Sequence, residues 1–265
     1  MPSRLGLRAV ALGYLVVILL APFALVFYRT FESGLHPVWQ TLSDPNTLHA
    51  FEITLVATAI AVPVNAVFGV LCALAIVRRR FPGKGLLNAF VDLPLAVSPV
   101  VIGLCLYLLY APRTGWFGSR LEAHGIQILF ALPAIVLATI FVSVPFVARE
   151  VIPTLRELGN EQEQAAATLG ATRWQRFWRI TLPSIRWAVI YGVVLTTARC
   201  LGEYGAVAVV SGRIIGRTET ATTLVEDLTL NFNTAGAYAV SLVLATIAVL
   251  VLVAMTVIRP REGAH

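Results

Sequence analysis

Three observations predict an all-α, polytopic membrane protein with about six transmembrane helices. The 265-residue chain is 58% hydrophobic and only 13% charged, about half the charge of an ordinary soluble domain. Its mean hydropathy is +0.81. Apolar runs long enough to cross a hydrocarbon core, which takes roughly 20 residues, recur along the whole chain. Residues 1–265 therefore read as a single transmembrane domain.

The first run, Ala9–Tyr28, is too long for the core of a signal peptide, and no obvious small-x-small cleavage site follows it. It is expected to be a retained span. The second, Ile53–Val77, carries Asn65 near its middle, where an amide more often bonds a neighbouring helix than a substrate. The third, Leu86–Tyr110, is interrupted by Pro94 and Pro99, with Ser98 between them. Proline frees backbone groups that need partners, so this is either a packing kink or a gate or substrate path using Ser98 and exposed N–H groups. Asp92, near the start of that span, is expected to pair with a loop arginine. The fourth run is Ile128–Ala148.

The fifth, Trp187–Val210, has Arg199 near its middle. A central arginine costs about 2.5–3.5 kcal/mol to insert. Glu203 lies four residues on, on the same helix face. The pair either locks the helix or belongs to a polar pathway in which Arg199 attracts an anion. The sixth run is Gly236–Ile258.

Charge assigns the sides. The termini, Arg78–Gly85 and Arg149–Arg186 together hold 14 of the 20 basic residues. The other side holds 5, namely Arg29, Arg113, Arg120, Arg213 and Arg217, and Arg199 sits inside a span. The positive-inside rule then puts both termini in the cytoplasm. The net charge of +6 is thus mostly topology. Nucleic acid is excluded as a partner, and the lipid bilayer is the expected one. The outer loops Arg29–Glu52, Ala111–Gln127 and Ser211–Ala235 are too short for a folded domain. Arg213 and Arg217 there either steer an anion or a binding protein, or are simply solvated. Cys72, Cys105 and Cys200 lie far apart in apolar runs. They and the scattered histidines form no metal-ligand pattern, so no metal site is expected.

The segment 149–186 is the one large feature on the cytoplasmic side. Asn160 can cap a helix over Glu161–Leu169, with Glu163 as its reciprocal partner. Ala165, Ala166 and Leu169 share one face, and Gly170 is a good left-handed stop. Thr172 then caps a second helix, with Gln175 in the reciprocal position. Trp174, Phe177 and Trp178 line one side of it and Arg173, Arg176 and Arg179 the other, the chemistry of a membrane-interface helix. Pro183 is expected to break the pattern before the next span. The alanine-rich face either inserts into a protein groove or merely anchors the loop.

This stretch resembles the "EAA" loop of ABC importer permeases, in which Glu-Ala-Ala is followed at fixed spacing by Gly and by Ile-x-Leu-Pro. Ala165, Ala166, Gly170, Ile180, Leu182 and Pro183 stand at those spacings. The family's Glu is Gln164 here, and Glu163 sits one residue earlier, about 100° around the helix. The stretches Val91–Gly103 and Ala198–Thr220 are similar to sulfate-type anion permeases, and the likeness is closest to the W-type subunit of sulfate/thiosulfate importers. The resemblance implies a type I ABC importer permease fold in a bacterial inner membrane. It implies an ATPase-coupling surface at Glu163, Gln164, Ala165, Ala166, Leu169, Gly170, Ile180, Leu182 and Pro183. Ser98, Pro99, Arg199 and Glu203 are the candidates for the translocation path.

The resemblance also implies partners: a homologous T-type permease, two ATPase subunits and an extracytoplasmic sulfate-binding protein. No GxxxxGK[ST] phosphate loop occurs in the sequence. No cofactor is expected in this chain, and ATP and Mg would be bound by the partner ATPase. Molybdate and tungstate share the tetrahedral dianion chemistry and are the alternative substrates. A membrane-embedded enzyme would need catalytic groups at one depth, and an ion-driven transporter would need no coupling loop. Neither fits.

Overall fold

The computed structural model describes the backbone of residues 2–258. Arg259 and Arg261, counted in the charge balance, lie outside the described residues. Among the described residues all regular structure is helical. Helix α1 spans Pro2–Glu32, α2 Leu35–Leu42 and α3 Pro45–Arg78. Helices α4 (Lys84–Ala96), α5 (Pro99–Tyr110), α6 (Gly118–Ala123) and α7 (Leu132–Glu157) follow. Then come α8 (Glu161–Thr168), α9 (Arg173–Arg176), a π-turn over Phe177–Thr181, and α10 (Leu182–Leu201). The chain closes with α11 (Gly205–Val210), α12 (Ala221–Leu230) and α13 (Thr234–Ile258).

Five helices are long and apolar enough to span a bilayer, and the pair α4–α5 makes a sixth if counted as one crossing. Helix α3 has 34 residues, about 50 Å of helix, and overshoots the apolar run Ile53–Val77 at its start. The Asp44 carboxylate accepts the backbone N–H groups of Asn46 and Thr47 at 3.0 and 3.2 Å, and Pro45 follows where a missing N–H costs nothing. The same overshoot occurs in α7, which runs on past Ala148 to Glu157. The segment between spans four and five is therefore shorter than the 149–186 expected from the apolar pattern.

Helices α3, α7 and α10 form the centre. Apolar side chains gain little by leaving lipid for each other, so close packing and polar contacts hold such helices together. A Cβ on Gly69 would lie 2.7 Å from Val147 Cβ, and one on Gly192 2.8 Å from Val147 Cα. Both glycines let their helices close onto α7. Deeper in the bundle Asn65 Nδ2 donates to Ser143 Oγ at 2.7 Å and to Ile140 O at 3.1 Å, and Ser143 touches Cys200 Sγ at 3.3 Å. Asn65 thus bonds a neighbouring helix, as expected.

Two expected spans are broken. The third bends by 111° between α4 and α5. Val91 of α4 packs beside Val151 and Leu155 of α7, whereas Ile102 of α5 packs beside Ala134, Ala138 and Val142. The chain therefore advances along α7 across the break, so the pair crosses rather than turning back. Helices α10 and α11 do the same on another side of α7. Gly192 sits at Val147, Cys200 at Ser143, and Phe130 N–H bonds Val210 O at 3.0 Å.

Pro183, by contrast, does not break its helix. Arg173–Leu201 qualifies as one span of 29 residues. The π-turn widens the backbone just before Pro183, and Leu182 N–H reaches back to Phe177 O. That wider turn relieves the clash a proline ring makes with the carbonyl four residues earlier.

Candidate functional site

The connection 158–172 joins α7 to α9 at the end of the bundle where α3 finishes. Helix α8 lies within it and has no buried residue. Its C-terminus closes as a Schellman motif. Gly170 adopts φ +85, its N–H bonds Ala167 O, and Ala171 N–H bonds Ala166 O, each at 3.0 Å. Only a left-handed residue makes that closure, which is why glycine stands there. Thr172 and Gln175 form the expected capping box, with Thr172 N–H to Gln175 Oε1 at 2.9 Å and Gln175 N–H to Thr172 Oγ1 at 3.3 Å. Trp178 then packs edge to face against Trp174 and against Phe177, each at 5.4 Å.

The other expected capping box does not form. Asn160 makes no side-chain cap. Glu163 turns inward instead, where its Oε1 accepts Thr181 Oγ1–H at 2.9 Å and meets Arg78 Nη2 at 3.1 Å. A charged, half-buried partner outcompetes a neutral N–H for a carboxylate. Arg176 Nη1 also reaches Glu163 O at 3.5 Å. Glu163 therefore ties α8 to the end of α3 and to the π-turn. Gln164 and Ala165 are exposed and Ala166 is half-buried, while Leu169 is 88% exposed. Ile180 and Leu182 are half-buried and Pro183 is exposed.

The second cluster lies where the two broken spans meet. Ser98 is extended and Pro99 opens α5, while Gly202, Glu203 and Tyr204 separate α10 from α11. A Cβ on Gly205 would lie 3.0 Å from Pro99 Cβ, and one on Gly103 2.7 Å from Ala206 O. The four path candidates thus gather around adjacent breaks. Arg199 Nη1 pairs with Glu203 Oε2 at 2.7 Å. Glu203 is buried, accepts Ala206 N–H at 2.9 Å, and its carbonyl accepts Thr222 Oγ1–H at 2.7 Å. It starts α11 and braces α12, so the pair holds the break between α10 and α11 in shape. Ser98 remains exposed. Asp92 pairs with Arg149 at 2.9 Å, a residue of α7 rather than of a loop.

Arg213 is not a free surface charge. It meets Glu226 at 2.6 Å, Asp227 at 3.6 Å and Tyr204 Oη at 3.1 Å. Arg217 is exposed. Sequence reasoning missed Arg78 and Thr181, because the Arg78–Arg80 run reads equally well as topological charge. The described residues contain no group of three His, Cys, Asp or Glu placed to hold a metal.

The sequence pattern of the family described as "Binding-protein-dependent transport system inner membrane component" matches residues 65–263. The chain belongs to this family. Among its relatives, the sulfate transport system permease protein CysW of Synechocystis sp. is 50% identical over 98% of this chain and 94% of its own length. The CysW protein of Escherichia coli K12 is 47% identical over 92% of this chain and 84% of that one. The CysT permease of the same organism is 36% identical over 96% and 91%. A bacterial ABC transporter involved in alginate import has a chain that superposes with TM-score 0.79 at 18% identity, over 98% of this chain and 95% of that one. That likeness establishes the fold.

Proposed function

We propose that this chain is one permease subunit of an ATP-driven importer of sulfate and thiosulfate in a bacterial inner membrane. The observation that carries the reading is the 50% identity to a sulfate transport permease over nearly the whole length of both chains. The chain supplies no chemistry of its own in this reading. It pairs with a second permease like the T-type relative, with two ATPase subunits that bind ATP and Mg, and with an external sulfate-binding protein. The excess of basic residues in the termini and in the two segments 78–85 and 149–186, 14 against 5 on the other side, supports a cytoplasmic location for the α8 end and for both termini.

The mechanical step follows from the helices. The exposed face of α8, with Ala165 and Leu169, seats in the ATPase. Glu163 passes the movement of α8 to Arg78 on α3 and to Thr181 at the head of α10. The helix from Arg173 to Leu201 is unbroken over 29 residues, a lever about 43 Å long. Its far end is the break beside Ser98 and Pro99, where exposed backbone and the Arg199 charge line the path of a dianion. Binding and hydrolysis at the ATPase are thereby converted into opening and closing at the paired breaks.

Uptake of radiolabelled sulfate in cells with and without the gene, competed with thiosulfate and with molybdate, tests the substrate. Loss of uptake on deletion, with strong competition by thiosulfate and weak competition by molybdate, is the expected result. Unchanged sulfate uptake together with lost molybdate uptake overturns the substrate and leaves the permease reading intact.

A further inference from the structure

A groove of about 560 Å³ lies between the last turns of α3 and the α8–α9 segment. Four guanidinium groups line it, Arg78, Arg79, Arg173 and Arg176, against a single carboxylate, Glu163. Arg78 is paired with that carboxylate and Arg176 leans on its backbone oxygen. Arg79 and Arg173 are exposed and have no ion-pair partner among the described residues. The Nε–H groups of Arg78 and Arg176 are buried with no hydrogen-bond acceptor. Buried donors left unpaired are costly, and an oxyanion with several acceptor oxygens is the group that arginine forks satisfy best.

Between the arginines the groove is lined by apolar side chains, Leu71 and Leu74 a turn or two before Arg78 on α3 and Phe177 a turn after Arg173. It runs on into an exposed apolar stripe of α3, where Val64, Phe68 and Leu71 are 44, 45 and 58% exposed. Trp174 and Trp178 stand exposed beside it, the residues expected where hydrocarbon meets water. A tetrahedral oxyanion with an apolar tail matches both the basic and the apolar parts of this lining.

We infer that this groove binds the phosphate headgroup of an anionic phospholipid, with an acyl chain lying along the α3 stripe. Free sulfate or phosphate shares the headgroup chemistry but uses none of the apolar wall. The inference needs the α8 end to lie at the membrane surface, as in the proposed function, and needs nothing of the substrate. A failed uptake assay therefore leaves it standing.

The test is native mass spectrometry of the assembled importer, released from bilayers that mix phosphatidylglycerol with phosphatidylcholine. The wild type is expected to retain phosphatidylglycerol selectively. The double variant Arg79→Gln/Arg173→Gln removes two charges that hold nothing else in the fold, and should reduce that retention about tenfold or more. Arg79→Lys/Arg173→Lys should keep most of it. Thermal unfolding of each variant in lipid-free detergent checks that it is folded. Equal retention of the two lipids, or unchanged retention in the Gln variant, overturns the inference. So does stabilisation by inorganic phosphate or sulfate alone that matches the stabilisation by phosphatidylglycerol.

Discussion

The connection 158–172 and the paired breaks near Ser98 and Tyr204 both interrupt long apolar helices, and they are built in opposite ways. The breaks are packed into the molecule. Gly103 has no room for a side chain and Gly205 little, and Glu203 is buried under two hydrogen bonds and an ion pair. The connection buries nothing of α8 and holds it through one residue, Glu163. A segment that satisfies itself can shift only with its neighbours. A segment tied at one point and bare elsewhere is shaped for a partner chain. In the proposed function the first would line the path of the cargo and the second would receive force from the ATPase.

The largest expected effect sets the two regions against each other through a glycine in each. A Cβ on Gly170 meets nothing within 4 Å, so Gly170→Asp carries only the left-handed strain, about 1–2 kcal/mol. It should abolish sulfate uptake while membrane insertion is unchanged and Tm falls by only a few degrees, roughly. Gly103→Leu should act chiefly on stability. Its side chain drives into the Ala206 backbone, and overpacking of that kind costs ~3 kcal/mol, or roughly 5–10 °C in Tm. Uptake by the first variant, or an unmoved Tm in the second, breaks the contrast.

A smaller effect sharpens it. Glu163→Gln keeps an acceptor for Thr181 and loses the ion pair to Arg78. Both side chains are about one-fifth exposed, so solvent screening leaves the pair worth about 1 kcal/mol or less in stability. Uptake should nonetheless fall roughly fivefold or more, the low end of ordinary coupling energies. Arg78→Gln should give the same loss, and the double variant no further loss. Additive losses would mean that the two residues act separately.

Much of this was legible in the sequence, and the remainder fails for a common reason. The six crossings, the Gly170 stop, the Thr172–Gln175 box and the role of Asn65 rest on signals within a few residues, or on hydropathy alone. The 111° bend at Val97–Ser98 depends on where Gly205 and Ala206 sit, far along the chain. The inward turn of Glu163 depends on Arg78, and its local pattern pointed instead to a cap. Pro183 misleads in the same way, since a π-turn rather than a helix end absorbs it. Exposed faces, such as that of α8, are legible only through resemblance, because their partner is another molecule.

The far end of the bundle offers the smallest and most selective test. Glu219 lies in the connection between α11 and α12, 2% exposed, and its Oε2 has no hydrogen-bond partner. Burial pushes its carboxyl up to about 7, helped by a hydrogen bond with Asp227 and by the charges of Asp227 and Asp44. In the unfolded chain the same group titrates near 4.5. The folded state thus holds an extra proton between those values. Stability from this group is greatest below about 4.5, falls as pH rises towards 7, and is constant beyond. Glu219→Gln keeps a neutral side chain at every pH, so it should raise Tm at pH 8 by a few degrees, roughly, and leave Tm at pH 4.5 nearly unchanged. Thermal unfolding across that range reads the difference directly. Parallel curves for the two proteins would mean that the buried carboxyl already carries its charge at pH 7.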